Sequence, residues 1–225
     1  LNNLELELDL FKNNRYDILV NPNQQIPGFF GMDVEGIWLN QGEVKNQGFE
    51  ALVRYRSTPS KDLQYFISAN VWYAKNEIID MSEETRLHNY QYRTGRAVDQ
   101  PFGLEAIGLF KDEADIANSP LQTFAPVQPG DIKYRDRNND GIINNDDIGP
   151  IGNTSQPDFS AGLNLGLSYK GFDLDMMFHG VTGRSIYLSG RNFHAFQNDG
   201  KISEIALGRW TPETSESATY PRLSA

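Results

Sequence analysis

Residues 136–147 read DRNNDGIINNDD, and eight of the twelve are Asp or Asn. Asp136, Asn138, Asp140, Asn144 and Asp147 stand at the first, third, fifth, ninth and twelfth positions of this run. Gly141 is sixth and Ile142 seventh, where a main-chain carbonyl serves as a ligand. This is the spacing of an EF-hand loop, with Asp in place of the usual Glu at the twelfth position. A hard cation wants about six to eight oxygen ligands at ~2.3–2.6 Å, and a loop this short supplies them only if a glycine turns it sharply. The chemistry expected of Asp136, Asn138, Asp140, Ile142, Asn144 and Asp147 is therefore Ca2+ binding of a structural kind. Ile143, at the eighth position, is expected to anchor the loop to apolar neighbours. The plainer reading is a solvated turn, because Asp and Asn favour turns without any metal.

Nothing else in the chain is arranged for catalysis. His88, His179 and His194 share no metal-ligand spacing. There is no Gly-x-Ser-x-Gly, no His-Glu-x-x-His and no phosphate loop. Acid pairs carry little weight in a chain with 30 Asp and Glu residues. The expectation is that this is not an enzyme. The connections hold many aromatics, among them Phe29, Phe30, Tyr90, Phe110, Phe124, Tyr187, Phe193 and Trp210. Sugar rings stack on such side chains, but packing of the connections accounts for them as well.

The elements that position the acidic run are strands. In DFSAGLNLGLSYK, the residues Phe159, Ala161, Leu163, Leu165, Leu167 and Tyr169 alternate with Ser160, Gly162, Asn164, Gly166, Ser168 and Lys170. A period of two held this long is a strand with one apolar face. Ten residues advance about 33 Å, and a tilt of ~40° leaves roughly 25 Å of height, the apolar band of a membrane barrel. An aromatic residue closes the apolar row at each end. GFDLDMMFHG continues the alternation after a Lys170-Gly171 hairpin signal. GFEALVRYR and YFISANVWYAK form a similar pair around STPSKD. LELELDLF alternates too, and FKNN is expected to turn it into RYDILV, making three hairpins in all. Long polar connections are expected at about 21–46, 76–157 and 183–225, with KDEADIAN and ISEIALGRW as short helices. Short turns on one side and long loops on the other suit an outer-membrane barrel.

Composition narrows the class. The chain has 225 residues and a formal net charge of −10, so phosphate backbones are repelled and nucleic acid is an unsuitable partner. It contains no cysteine, which removes disulfides and thiolate metal sites. No apolar run approaches ~18 residues, which argues against a membrane helix but not against membrane strands. The start, LNNLELELDL, has neither a signal-peptide pattern nor an initiator Met, and the chain reads as a piece of a longer protein.

Several stretches together resemble the SusC/RagA family of TonB-dependent outer-membrane transporters. They are NQGEVKNQGFEALVRYR, GRAVDQPFGLEAIGLFKDEADI, the segment from PGDIKYRDRNNDG through GFDLDMMFHGVTGRSIY, and RWTPETSESATYPRLSA. Their shared order carries the resemblance across nearly the whole chain. The resemblance implies an all-β fold: an antiparallel transmembrane β-barrel segment in the lipid bilayer of the outer membrane, from the C-terminal half of the barrel. Residues 1–225 would form part of one barrel domain, with the plug and closing strands absent. It implies TonB-driven import of oligosaccharides or peptides together with a SusD-like surface lipoprotein. RYDILV departs from the family pattern, being too short for a full crossing strand. The alternative is a secreted, calcium-stabilised β-sandwich that binds carbohydrate. In a sandwich Leu163, Leu165 and Leu167 would meet a second sheet.

Overall fold

The computed structural model describes residues 3–21, 38–197 and 200–223. Five long strands dominate it: β1 (Leu4–Val20), β2 (Leu39–Ser60), β3 (Leu63–Asp80), β4 (Phe159–Tyr169) and β5 (Phe172–Thr182). They form one sheet in sequence order, each strand antiparallel to its neighbours. Two turns of two residues, Lys61-Asp62 and Lys170-Gly171, close the hairpins at one end. Lys170 donates its N–H to the Asp62 carbonyl at 3.0 Å, so the two turns sit side by side. Lys170 and Gly171 both have positive φ, 48° and 85°, the twist that a tight hairpin needs. The chain leaves the sheet for its long connections at the opposite end.

Register carries the sequence alternation across all five strands. Leu6, Val53, Ala69, Leu163 and Phe178 form one row. Leu4, Tyr55, Ile67, Leu165 and Met176 form the next. Phe49, Tyr73 and Phe159 close this face toward the long connections, and Tyr65, Tyr169 and Phe172 close it toward the turns. The face is uncovered: Leu6 is 71% exposed, Leu10 78% and Phe178 56%. A sandwich would bury these residues, and among the described residues no second sheet does so. The fold is that of an antiparallel barrel segment, as expected. No helix among the described residues is long and apolar enough to cross a membrane.

Two local expectations are corrected. FKNN is not a turn; Phe11 to Asn14 pair in register with Gly48 to Lys45, and RYDILV completes a single 17-residue strand. The Asn pair signals a turn locally, but the edge of β2 offers partners for every residue, and strand preference yields to that context. The break comes later, as register shifts between Arg15 and Leu19 with Asp17 at φ 56°. The apparent shortness of RYDILV disappears with the turn. STPS likewise belongs to β2, and its ladder is irregular between Ser57 and Ser60, around Pro59, which has no N–H to offer. Most of the connection expected at 21–46 lies outside the described residues, and β2 begins at Leu39.

The described chain divides into two compact units. The sheet belongs to the first, with residues 92–100 and 152–185. The second holds 86–91, 101–151 and 186–225. It is built from small ladders: Phe102–Gly103 with Gly149–Pro150, Ala106–Leu109 with Ile132–Tyr134, and Leu121–Gln122 parallel to Ile142–Ile143. Helix α1 (Glu113–Ala117) lies within KDEADIAN, its N-terminus capped by Asp112. ISEIALGRW holds a 3-10 turn at Glu204–Gly208.

On the polar face of the sheet Phe66 lies across Gly166. A Cβ on Gly166 would come within 2.0 Å of the Phe66 ring. Gly166→Val should therefore destabilise the fold by about 1–3 kcal/mol. In a Phe66→Ala background most of that penalty should vanish, as read by denaturant titration of tryptophan fluorescence.

Candidate functional site

The acidic run folds as a chain of side-chain-to-backbone hydrogen bonds. Asp136 accepts N–H bonds from Asn139 at 2.6 Å and Gly141 at 2.8 Å. Asn138 accepts from Asp140, and Asp140 accepts from Ile142. Asn139 and Gly141 turn the loop with φ of 60° and 84°. The short Asp and Asn side chains reach back to neighbouring amides, which is why they tolerate this backbone.

Asp147 closes the loop. It is fully buried, with one carboxylate oxygen accepting from Arg137 N–H at 2.7 Å and the other from Asn144 N–H at 2.9 Å. Asn144 completes a reciprocal cap around residues 145–147. Ile143 is 1% exposed, so the expected anchor is present. It is held by the parallel pairing with Gln122 and by Thr123, whose N–H and hydroxyl both donate to its carbonyl.

The surroundings were invisible in the sequence. The Arg137 guanidinium donates to Glu105 at 2.9 Å and to the Pro150 carbonyl at 3.0 Å, and stacks 5.8 Å from the Tyr90 ring. Tyr90 donates its hydroxyl to the Asp146 carbonyl at 2.5 Å, and His88 stacks on Tyr90 at 5.1 Å. Burial, and then the Asp147 and Asp146 carboxylates, push the Tyr90 hydroxyl above its usual pKa and keep it a donor. These partners lie 13 to 56 residues from the loop positions they hold. No local spacing could have signalled them.

The donor chemistry of the loop, all oxygen, suits a hard cation. An oxygen that accepts one N–H still has a lone pair to offer. Among the described residues, however, no three His, Cys, Asp or Glu side chains gather closely enough to hold an ion. Asp136, Asp140 and Asp147 are engaged by main-chain amides and do not converge.

The connection aromatics divide. Phe110 is 1% exposed, and Phe193 packs against Tyr220 at 6.2 Å, so both are packing residues. Trp210 lies on Gly130, whose φ of 88° brings the backbone close to the ring. Tyr187 is 88% exposed and Phe124 54%. Phe29 and Phe30 lie outside the described residues.

The polar face of the sheet is the other candidate surface. Arg54 and Glu5 form an ion pair at 2.6 Å, and Ser68 and Asn164 continue that row. His179 and Ser160 are 3.0 Å apart. Among the described residues no carboxylate pairs with His179.

No family model matches the chain. Two relatives from Formosa agariphila do. TonB-dependent receptor P26 is 29% identical over 190 residues, 79% of this chain and 19% of the relative. TonB-dependent receptor P3 is 25% identical over 236 residues, 98% of this chain and 22% of the relative. Its likeness is to TonB-dependent receptors. The chain spans about a fifth of the length of these curated relatives. Among solved structures, that of the RagAB peptide transporter covers all of this chain with a TM-score of 0.65 at 22% identity. The open-open state of the RagAB peptide importer does so with a TM-score of 0.68 at 21% identity. In each case this chain covers 24% of the neighbour. The fold is thus that of a stretch of the RagAB barrel, and the likeness is to receptors and transporters rather than enzymes.

Two predictions concern the loop unit. Asp147→Ala leaves the half-buried N–H groups of Arg137 and Asn144 unpaired, at about 1 kcal/mol each. Amide exchange at Arg137 and Asn144 should accelerate far more than at the strand amides. A second concerns Asp115, whose carboxyl is held below its ordinary range, chiefly by the hydrogen bond from Lys133 at 2.7 Å. A lowered folded pKa gives stability that is present above the unfolded carboxylate range and is lost as pH falls through the lowered value. Lys133→Met should flatten that acid-side loss in thermal unfolding scans from about pH 7 to about pH 3.

Proposed function

We propose that these residues form part of the wall and mouth of a TonB-dependent importer in the outer membrane. The apolar rows face lipid, the polar face lines the lumen, and the long connections stand outside the cell. One observation carries this: an apolar face five strands wide, none of its residues buried and many of them exposed, closed by aromatics at both ends. Such a face is costly in water and suited to a bilayer. The two-residue turns at one end only, and the likeness to TonB-dependent receptors, support the same reading.

The cargo in this reading is a nutrient oligomer, peptide or glycan, captured together with a SusD-like surface lipoprotein and moved with energy delivered through TonB. The names of the RagAB neighbours favour peptides. The lumen face offers paired charges and amide and hydroxyl side chains, which can bind polar chains loosely enough to release them.

We further propose that the 136–147 loop takes up Ca2+ through Asp136, Asn138, Asp140, the Ile142 carbonyl, Asn144 and Asp147. The support is the spacing, the all-oxygen donor set and the left-handed Gly141 at the sixth position. Asp147 is shorter than the usual Glu, so binding should be weak and its role mechanical, stiffening a long connection.

Leu165→Arg sets a charge in the middle of the lipid face, at about 2–4 kcal/mol. The whole receptor carrying it should be lost from the outer membrane, whereas Asn164→Arg, on the lumen side, should assemble. Equal assembly of both variants would refute the membrane reading. For the loop, Ca2+ should slow proteolysis of the receptor within residues 136–147, Mg2+ should not, and Asp136→Ala with Asp140→Ala should abolish the effect. Identical cleavage with and without Ca2+ would refute that site.

A further inference from the structure

Past the aromatic row, the outward alternation of β2 and β3 turns from apolar to charged. Phe49 pairs with Tyr73, then Gln47 with Lys75, then Lys45 with Glu77, with no register shift between. At ~3.3 Å per residue and a tilt of ~40°, Lys75 lies roughly 5 Å and Lys45 roughly 10 Å beyond the aromatics along the barrel axis. The interfacial layer of a bilayer extends about 5–8 Å beyond the hydrocarbon on each side. Lys75 therefore stands at headgroup depth, and Lys45, just beyond that layer, reaches back into it on its flexible stem.

The sheet has a gap beside them. β4 begins only at Phe159, opposite Tyr73, and its last contact on β3 is the Asp158 carbonyl accepting from Ala74 N–H at 3.0 Å. The next partner of β3 is the returning chain at Gly95–Arg96, where Ile78 N–H donates to the Arg96 carbonyl at 2.8 Å and Gly95 N–H to the Ile78 carbonyl at 2.7 Å. Between these points, at Lys75–Glu77, a neighbouring strand is missing. A crevice of about 380 Å³ occupies the place, lined by Lys45, Gln47, Lys75, Glu77, Arg96 and Asp158 among others. Three cations thus face two carboxylates. Arg96 is tied to the Tyr92 carbonyl through its Nε at 3.0 Å. Neither Lys45 nor Lys75 forms an ion pair among the described residues.

We propose that this crevice binds the phosphate of an anionic lipid headgroup in the leaflet at the long-connection end, with Lys45 and Lys75 donating to its oxygens. Basic pockets at headgroup depth are the usual means of recognising such lipids. A lysine ammonium on a flexible stem suits a phosphate presented at variable height. Glu77 opposes the charge and sets a limit on affinity. The assignment rests on the barrel standing in the membrane.

The test uses the full-length receptor in detergent, with bound lipid read by native mass spectrometry. The probes are phosphatidic acid and diacylglycerol of the same chain length. Phosphatidic acid should be retained about tenfold better than diacylglycerol. Lys45→Gln with Lys75→Gln should remove that preference, and Glu77→Gln should increase it. Equal retention of the two lipids, or no response to either set of substitutions, overturns the site. Full displacement by millimolar inorganic phosphate would make it a site for a soluble anion and overturn the lipid assignment. Fractionation of the same cells separates the two readings. A wild-type receptor absent from the outer membrane sinks both, whereas one present there and indifferent to the substitutions sinks only the headgroup site.

Discussion

Leu163 pairs with Ala69 on one side and Phe178 on the other, Ala69 pairs with Val53, and Val53 with Leu6. That single row shows the constraint on which the sheet depends. Side chains alternate with a period of two, so a slip of one residue in any strand would send its apolar set to the wrong face. The register also pairs the main-chain N–H and C=O groups sideways, which a strand in hydrocarbon cannot leave to water. Both demands are met by one set of pairings, and the aromatic ends and the polar face follow from it.

The loop unit solves a different problem. Few of its large apolar side chains are fully buried among the described residues, and its innermost side chains are Phe110, Ile143 and the carboxylate of Asp147. A buried carboxylate is tolerable only when its oxygens are engaged. Here two backbone N–H groups do so, one from Arg137 and one from Asn144. The guanidinium of that same Arg137 then reaches Glu105 and Pro150. Hydrogen bonds thus fix the path of the chain where hydrophobic burial is too sparse to do so. Gly130 and Trp210, with Arg222 on Asp131 at 2.7 Å, bring the last segment into the same unit.

The sequence made the apolar rows legible because a period of two is a local property. It also made Ile143 and the Gly141 turn legible, since both depend on neighbours within a few residues. FKNN misled because Asn-Asn suits a turn, and what overrode it was the edge of β2, more than thirty residues away in sequence. STPS misled differently: its partners, Leu63 and Tyr65, lie three to eight residues on, and the ladder simply runs up to a tighter turn at Lys61-Asp62. The Tyr90–Asp146 and Arg137–Glu105 contacts could not be read at all, because nothing in either residue's own surroundings encodes a distant partner. The crevice beside Lys75 was equally hidden, since it exists only because β4 starts at Phe159 while β3 runs on to Asp80.

The polar face carries one arrangement that argues for its surroundings. Asp9 and Glu50 are direct partners across β1 and β2, with Glu7 and Leu52 in the row beside them. Like charges placed opposite each other destabilise a sheet. Their repulsion at ~4–5 Å is about 1 kcal/mol in water and several times larger in a poorly polarisable medium. One row beyond Glu7, Glu5 is matched by Arg54, so the sheet can supply a counter-charge in this register. Asp9 and Glu50 are left without one among the described residues. Two strands that bury this pair would have to neutralise it, whereas two strands that line an aqueous channel can leave it to water and salt. The apolar rows on the reverse of the same strands impose the opposite condition. A sheet with both faces in water explains Asp9 and Glu50 but not Leu6 and Phe178, and a sheet buried on both faces explains the reverse. Water on one side and lipid on the other satisfies all four.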